Sequence, residues 1–137
     1  MPNRARSLIV SSVLFLISDI LFMTASIAQQ PGFRGAPASA AETKNPYADN
    51  AAAAAAGKKL YGQNCAQCHG KNLEGMGPAP ALDTPNVRQA KAGDLFWFIT
   101  TGKMSSGMPS WSRLPTQQRW QIVSFLQASP EQKTAAK

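Results

Sequence analysis

The chain has 137 residues, room for one small domain with extensions and too little for two. Its 44% hydrophobic content suits a globular protein. Its net charge of +7 would suggest nucleic acid in a cytosolic protein. The export signal read below, and the lack of an aromatic–basic recognition pattern, exclude that class.

Arg4 and Arg6 precede a mostly apolar run from Leu8 to Ile17, which continues less cleanly to Met23 and reaches small residues at "SIAQQ". A basic start, a short apolar run and a small-x-small exit predict a secretory signal over 1–28, cleaved after Ala28, with Ser26 and Ala28 as the small pair. The alternative is an uncleaved membrane anchor. Against it, Asp19 interrupts the run, which is shorter than the roughly 20 residues a spanning helix needs. No cysteine lies near the signal's end, so a lipid-anchored lipoprotein is excluded. Cleavage removes Arg4, Arg6 and Asp19 and leaves a strongly basic remainder. That charge fits either steering towards an acidic partner surface or ordinary solubility. The expected location is periplasmic.

Residues 29–47 contain Pro31, Gly32, Gly35, Pro37 and Pro46 without hydrophobic period, and predict a flexible linker. The character changes at "YADNAAAAAAGKKLYGQNC". Asp49 or Asn50 can cap a helix, six alanines of high helix propensity follow, and the pattern continues into Leu60 and Tyr61. The glycines and prolines from Gly70 to Asn86 exclude a long regular element. "GDLFWFITTGK" predicts a second helix with Leu95, Phe98 and Ile99 on one face and Gly102 ending it. "SSGMPSW" is a turn. "LPTQQRWQIVSFLQAS" predicts a third helix opened by Pro115 or Thr116, with Trp120, Val123 and Leu126 or Ile122 inward. Residues 130–137 form a polar tail. The domain, 48–129, is thus all-α with about three main helices and no convincing strand. A helical domain of about 80 residues with long loops buries little apolar surface and calls for a staple or a large buried group.

"CAQCH", Cys65 to His69, contains both cysteines of the chain and its only histidine. The C-x-x-C-H spacing is the attachment pattern of c-type haem: two thiols reach the porphyrin vinyl groups as thioethers, and the adjacent histidine is held under the iron. A redox disulfide would sit at a helix start among alternating strands and helices. A structural zinc would need a fourth ligand from elsewhere. Haem is the better reading of these residues. One histidine excludes bis-histidine ligation within the chain. The sixth position falls to Met76, Met104, Met108, a lysine, water or an open site. Met108 is favoured because Gly107 and Pro109 force a turn that can present its sulfur. Met104 is a candidate packing residue, and Met76 lies close to the proximal side. Thioether ligation raises the reduction potential.

With "GKKLYGQNCAQCHG", "PAL", "LFWFITTGKMSSGMPSW" and "LPTQQRWQIVSFLQ" in this order, the sequence resembles a mono-haem class I cytochrome c over about Asn50 to Ala128. The resemblance implies crossed first and last helices, with Gly57 and Tyr61 packed against Trp120 and Phe125, and one covalent haem c. It implies Cys65 and Cys68 as the thioether pair, His69 as proximal ligand and Met108 as distal ligand. It also implies that the Pro80 carbonyl accepts the proton of His69 Nδ1, with Pro78 as competitor, and that Leu82, Ile99 and Trp111 wall the haem pocket.

The function these features lead us to expect is a non-enzymatic, periplasmic one-electron carrier, cycling Fe(III)/Fe(II). It would be a monomer working between a dehydrogenase, such as a quinoprotein, and a terminal oxidase. Lys58, Lys59, Lys71 and Lys103 are candidates for a docking ring. The alternatives are a haem subunit of a larger oxidoreductase complex, or an open-site haem protein that binds a gas or peroxide, for which Met108 must not ligate.

Overall fold

The structure, a computed structural model, describes residues 35–128. The expected signal over 1–28, the first part of the expected linker and the tail over 130–137 lie outside the described residues. Those described all fall in the unit Pro31–Lys137, and the other unit, Met1–Gln30, is outside them.

Among the described residues six α-helices follow one another: α1 (Ala38–Ala41), α2 (Ala51–Asn64), α3 (Ala66–His69), α4 (Pro85–Arg88), α5 (Ala92–Thr101) and α6 (Thr116–Gln127), with a 3-10 turn at Met104–Ser106. Among the described residues no strand forms, and β pairing is confined to isolated bridges such as Met76 with Ala79 and Lys103 with Met108. The architecture is therefore all-α with three main helices, α2, α5 and α6, as the sequence leads one to expect.

Of the two residues able to cap α2, Asn50 does so: its side-chain oxygen accepts from the Ala53 N–H at 2.9 Å. Such a cap contributes about 1 kcal/mol. Asp49 instead takes a left-handed φ of 57° and turns the chain into the helix. In α5, Leu95 and Ile99 are buried, and the aromatic that joins them against the core is Phe96 rather than Phe98. Phe96 stands three residues before Ile99 and so shares its face. Its ring stacks on Trp120, centroids 4.0 Å apart and planes 14° from parallel.

Helix α6 is buried on more than one stripe. Trp120, Ile122, Val123, Phe125 and Leu126 are all enclosed, because α2, α4 and α5 pack around it. Each such side chain, fully buried, gains on the order of 1.5–3 kcal/mol. The α2–α6 contact is the most extensive and depends on Gly57. A Cβ there would lie 1.9 Å from the Gln121 carbonyl oxygen and 3.0 Å from Phe125 Cβ, so only glycine permits the approach. Tyr61 meets Phe125 with centroids 5.4 Å apart. The expected crossing of first and last helices is present, except that the ring partner of Trp120 comes from α5.

Part of the segment expected to be linker is docked. Helix α1 packs on α5. Asn45 is buried and donates from Nδ2 to Ser124 Oγ on α6 at 2.9 Å. Its Oδ1 accepts from the Tyr47 N–H at 2.9 Å, and the Tyr47 carbonyl accepts from Ser124 Oγ at 3.1 Å. Composition alone reads this stretch as flexible; a buried amide with both ends satisfied fixes it instead.

Candidate haem-binding site

Helix α2 stops at Cys65, whose N–H still bonds to the Tyr61 carbonyl at 2.8 Å, and the same residue opens the single turn α3. Both the Cys68 and the His69 N–H groups return to the Cys65 carbonyl, at 3.1 and 2.9 Å. This turn puts Cys65 and Cys68 on one side, because positions three apart share a helix face. Gly70, at φ 78°, ends it. The buried Tyr61 hydroxyl donates to the Gly70 carbonyl at 2.7 Å and ties the end of the motif back to α2.

Beyond Gly70 the chain reverses. The Gly75 N–H bonds to the His69 carbonyl at 2.8 Å, and Met76 and Ala79 exchange hydrogen bonds at 3.1 and 3.0 Å. Leu73 is buried, and its carbonyl accepts from the Leu82 N–H at 2.7 Å, pinning the far end of the loop to the core. The result is a Pro80 carbonyl 2.9 Å from His69 Nδ1. A carbonyl can only accept, so Nδ1 carries the ring proton and Nε2 keeps its lone pair for a metal. Of the two prolines in "GPAPAL" it is Pro80 that makes this contact.

Ile99 is buried, while Leu82 and Trp111 are partly buried against the same core. The Trp111 N–H bonds to the Ile99 carbonyl at 3.0 Å. Met108 is half-buried, and its backbone exchanges hydrogen bonds with Lys103 at 2.8 and 3.2 Å. Pro109, Ser110, Trp111, Arg113 and Leu114 line a cavity of about 260 Å³ beside it. Met104 and Met76 are 74% and 55% exposed, so neither packs into the protein core. Lys59, Lys71 and Lys103 are exposed; Lys58 is half-buried.

These residues fit a covalently held haem. The two thiols are not joined in a disulfide. Burial pushes the Cys65 thiol up to about 11, with the Cys68 charge adding to it, the opposite of the depressed pKa that drives redox C-x-x-C pairs. Among the described residues no three His, Cys, Asp or Glu side chains converge on a possible metal position. Two thiols on one side of a turn, next to an imidazole with a bare Nε2, form the donor set of one covalent haem c. When bound, that group supplies an iron that takes up and releases one electron.

Sequence reasoning missed three residues that shape the site. Leu73 anchors the loop. Gly75, at φ 79°, lies so close to the Ala79–Ala81 backbone that a Cβ would sit 2.6 Å from the Ala81 nitrogen. Arg119 is a buried cation on α6. Only Gly75 had a visible signal, the glycine pair of "EGMGP".

The family described as cytochrome c oxidase, cbb3-type, subunit III matches residues 52–126, from the start of α2 almost to the end of α6 and including both "CAQCH" and Met108. The cbb3-type cytochrome c oxidase subunit CcoP of Azospirillum brasilense is 39% identical over 77 residues, half of this chain. The aligned part is 25% of that relative, so the chain spans only a fraction of its length. No solved structure matches. The matches identify a c-type cytochrome domain related to a subunit of cbb3-type oxidase. With its haem motif inside the matched span and its three main helices almost wholly so, the chain belongs to the cbb3-type cytochrome c oxidase subunit III family.

Proposed function

We propose that this chain acts as the haem c electron-transfer domain of a respiratory oxidase complex, on the periplasmic side of the membrane. The observation that carries this reading is the family match across α2 to α6, which favours a subunit over a free mobile carrier. The domain proper begins with the docked segment near α1, earlier than the boundary at residue 48 read from composition.

In this reading Cys65 and Cys68 would hold the porphyrin through thioethers, and His69 Nε2 and Met108 Sδ would serve as the iron's protein ligands. The Pro80 carbonyl keeps the proton on Nδ1, which fixes the imidazole plane and makes Nε2 a stronger donor. Leu82, Ile99 and Trp111 exclude water. With His69 and Met108 both as ligands, the haem would supply one-electron transfer rather than an open site for a gas or substrate. Lys59, Lys71 and Lys103 are available to orient an acidic redox partner.

Among the described residues no helix is long and apolar enough to cross a membrane. Membrane association therefore rests on a partner or on residues outside those described. The test is fractionation of native membranes in mild detergent, with haem staining and oxidase activity followed together. Co-migration of the chain with oxidase activity is the expected result. A haem-stained chain found wholly in the periplasmic extract, reducible there by a dehydrogenase, would return the reading to the mobile carrier. Rapid carbon monoxide binding by the reduced protein would favour the open-site alternative.

A further inference from the structure

From the hydrogen bonds around the buried guanidinium of α6, we infer that Arg119 is a positioning residue that fastens the Met108 loop shut. The inference rests on Met108 being the distal ligand.

The stretch from Gly102 to Pro115 leaves the end of α5 and returns at the start of α6, with Met108 near its middle. Arg119 grips both ends of it. Nε donates to the Leu114 carbonyl at 3.1 Å, Nη2 to Thr116 Oγ1 at 3.1 Å, and Nη1 to Thr100 Oγ1. Thr100 Oγ1 gives its own proton to the Phe96 carbonyl at 2.7 Å, so its lone pairs face the arginine. The guanidinium carbon lies 4.8 Å from the Phe96 ring centroid, in cation–π range, over a ring already stacked on Trp120.

From Thr100 the fastening passes into the loop: its carbonyl accepts from Ser110 Oγ at 2.7 Å, two residues after Met108. Compact loops whose ends are held together are a common carrier of functional groups. Here one planar fork spans acceptors on two elements at once. A lysine, a point charge with no fork, cannot do so. With Arg119 9% exposed, water is poorly placed to replace the lost bonds. Arg119 thus sets how often the Met108 thioether leaves its position.

The test uses the full-length ferric holoprotein, comparing wild type with Arg119→Lys and Arg119→Met. Two quantities are read: the rate at which saturating cyanide replaces the thioether, and amide hydrogen exchange at Lys103, Met108 and Trp111. Both variants should exchange ligand on the order of tenfold faster. Exchange should rise at those three amides and stay unchanged in the middle of α2. A lysine variant that behaves as wild type, or rates within twofold in both variants, overturns the inference. Should Arg119→Met not fold, the pair Thr100→Val and Thr116→Ala removes two acceptors instead, and unchanged rates there refute it equally. Should wild type lack a near-infrared sulfur band that Met108→Ala abolishes, the ligand reading fails, and loop-amide exchange alone decides whether Arg119 is a fastener.

Discussion

Tyr61 shows how a single side chain links the haem motif to the helical frame. Its ring packs on Phe125 while its hydroxyl reaches the Gly70 carbonyl. Burial, helped by nearby acidic groups, holds the phenol above its ordinary value of 10. Folding therefore favours the neutral form. The associated stability is complete below about pH 10 and is lost as pH climbs from there towards the folded value. Tyr61→Phe should cost on the order of 1 kcal/mol at neutral pH and flatten the alkaline decline, as chemical denaturation between pH 8 and 11 would register. At the distal side, Met108→Ala should abolish the sulfur-to-iron near-infrared band and admit carbon monoxide to the reduced protein. The site was legible residue by residue where chemistry demands a fixed spacing, as in "CAQCH". The Pro80 contact followed only from resemblance. Arg119 was invisible, because nothing in a one-dimensional pattern marks a charged residue as buried.

Among the elements, α2 and α6 set the architecture, and Gly57 sets the distance between them. Gly57→Val would drive side-chain carbons into the Gln121 backbone, which cannot move aside without bending α6. A loss of at least ~2 kcal/mol is expected, read as a lowered thermal midpoint together with weakened contact between Tyr61 and Phe125. The three long helices were legible from different signals, the Asn50 cap and alanine propensity in α2 and apolar spacing in α5 and α6. The choice of Phe96 over Phe98 was not, since a helix this apolar offers two plausible faces and only the position of Trp120 decides between them. Loop conformation was the least legible level. Leu73, at φ 67°, buries its side chain from a left-handed conformation that sequence rules discount for leucine.

Over the whole molecule, the docked segment before α2 acts as a strap across the helix pair. Asn45, Tyr47 and Ser124 form a closed set of hydrogen bonds joining positions 79 residues apart. Asn45→Ala leaves the Tyr47 N–H without its acceptor and Ser124 Oγ without its donor, and a loss of about 1–3 kcal/mol should follow. A holoprotein starting at residue 48 should melt lower than one starting at residue 35. Equal midpoints would show that the strap contributes nothing.

The helix crossing also orders the protein's biogenesis. The "CAQCH" turn is synthesised well before α6, yet α6 supplies Gln121 and Phe125, the surface against which α2 closes. For that interval the thiols sit on an unclosed chain, open to whatever enzyme attaches the porphyrin. Once the last helix arrives, Cys65 becomes half-shielded. In the reading proposed above, the length of chain between the first helix and its mate would set the interval open to porphyrin attachment.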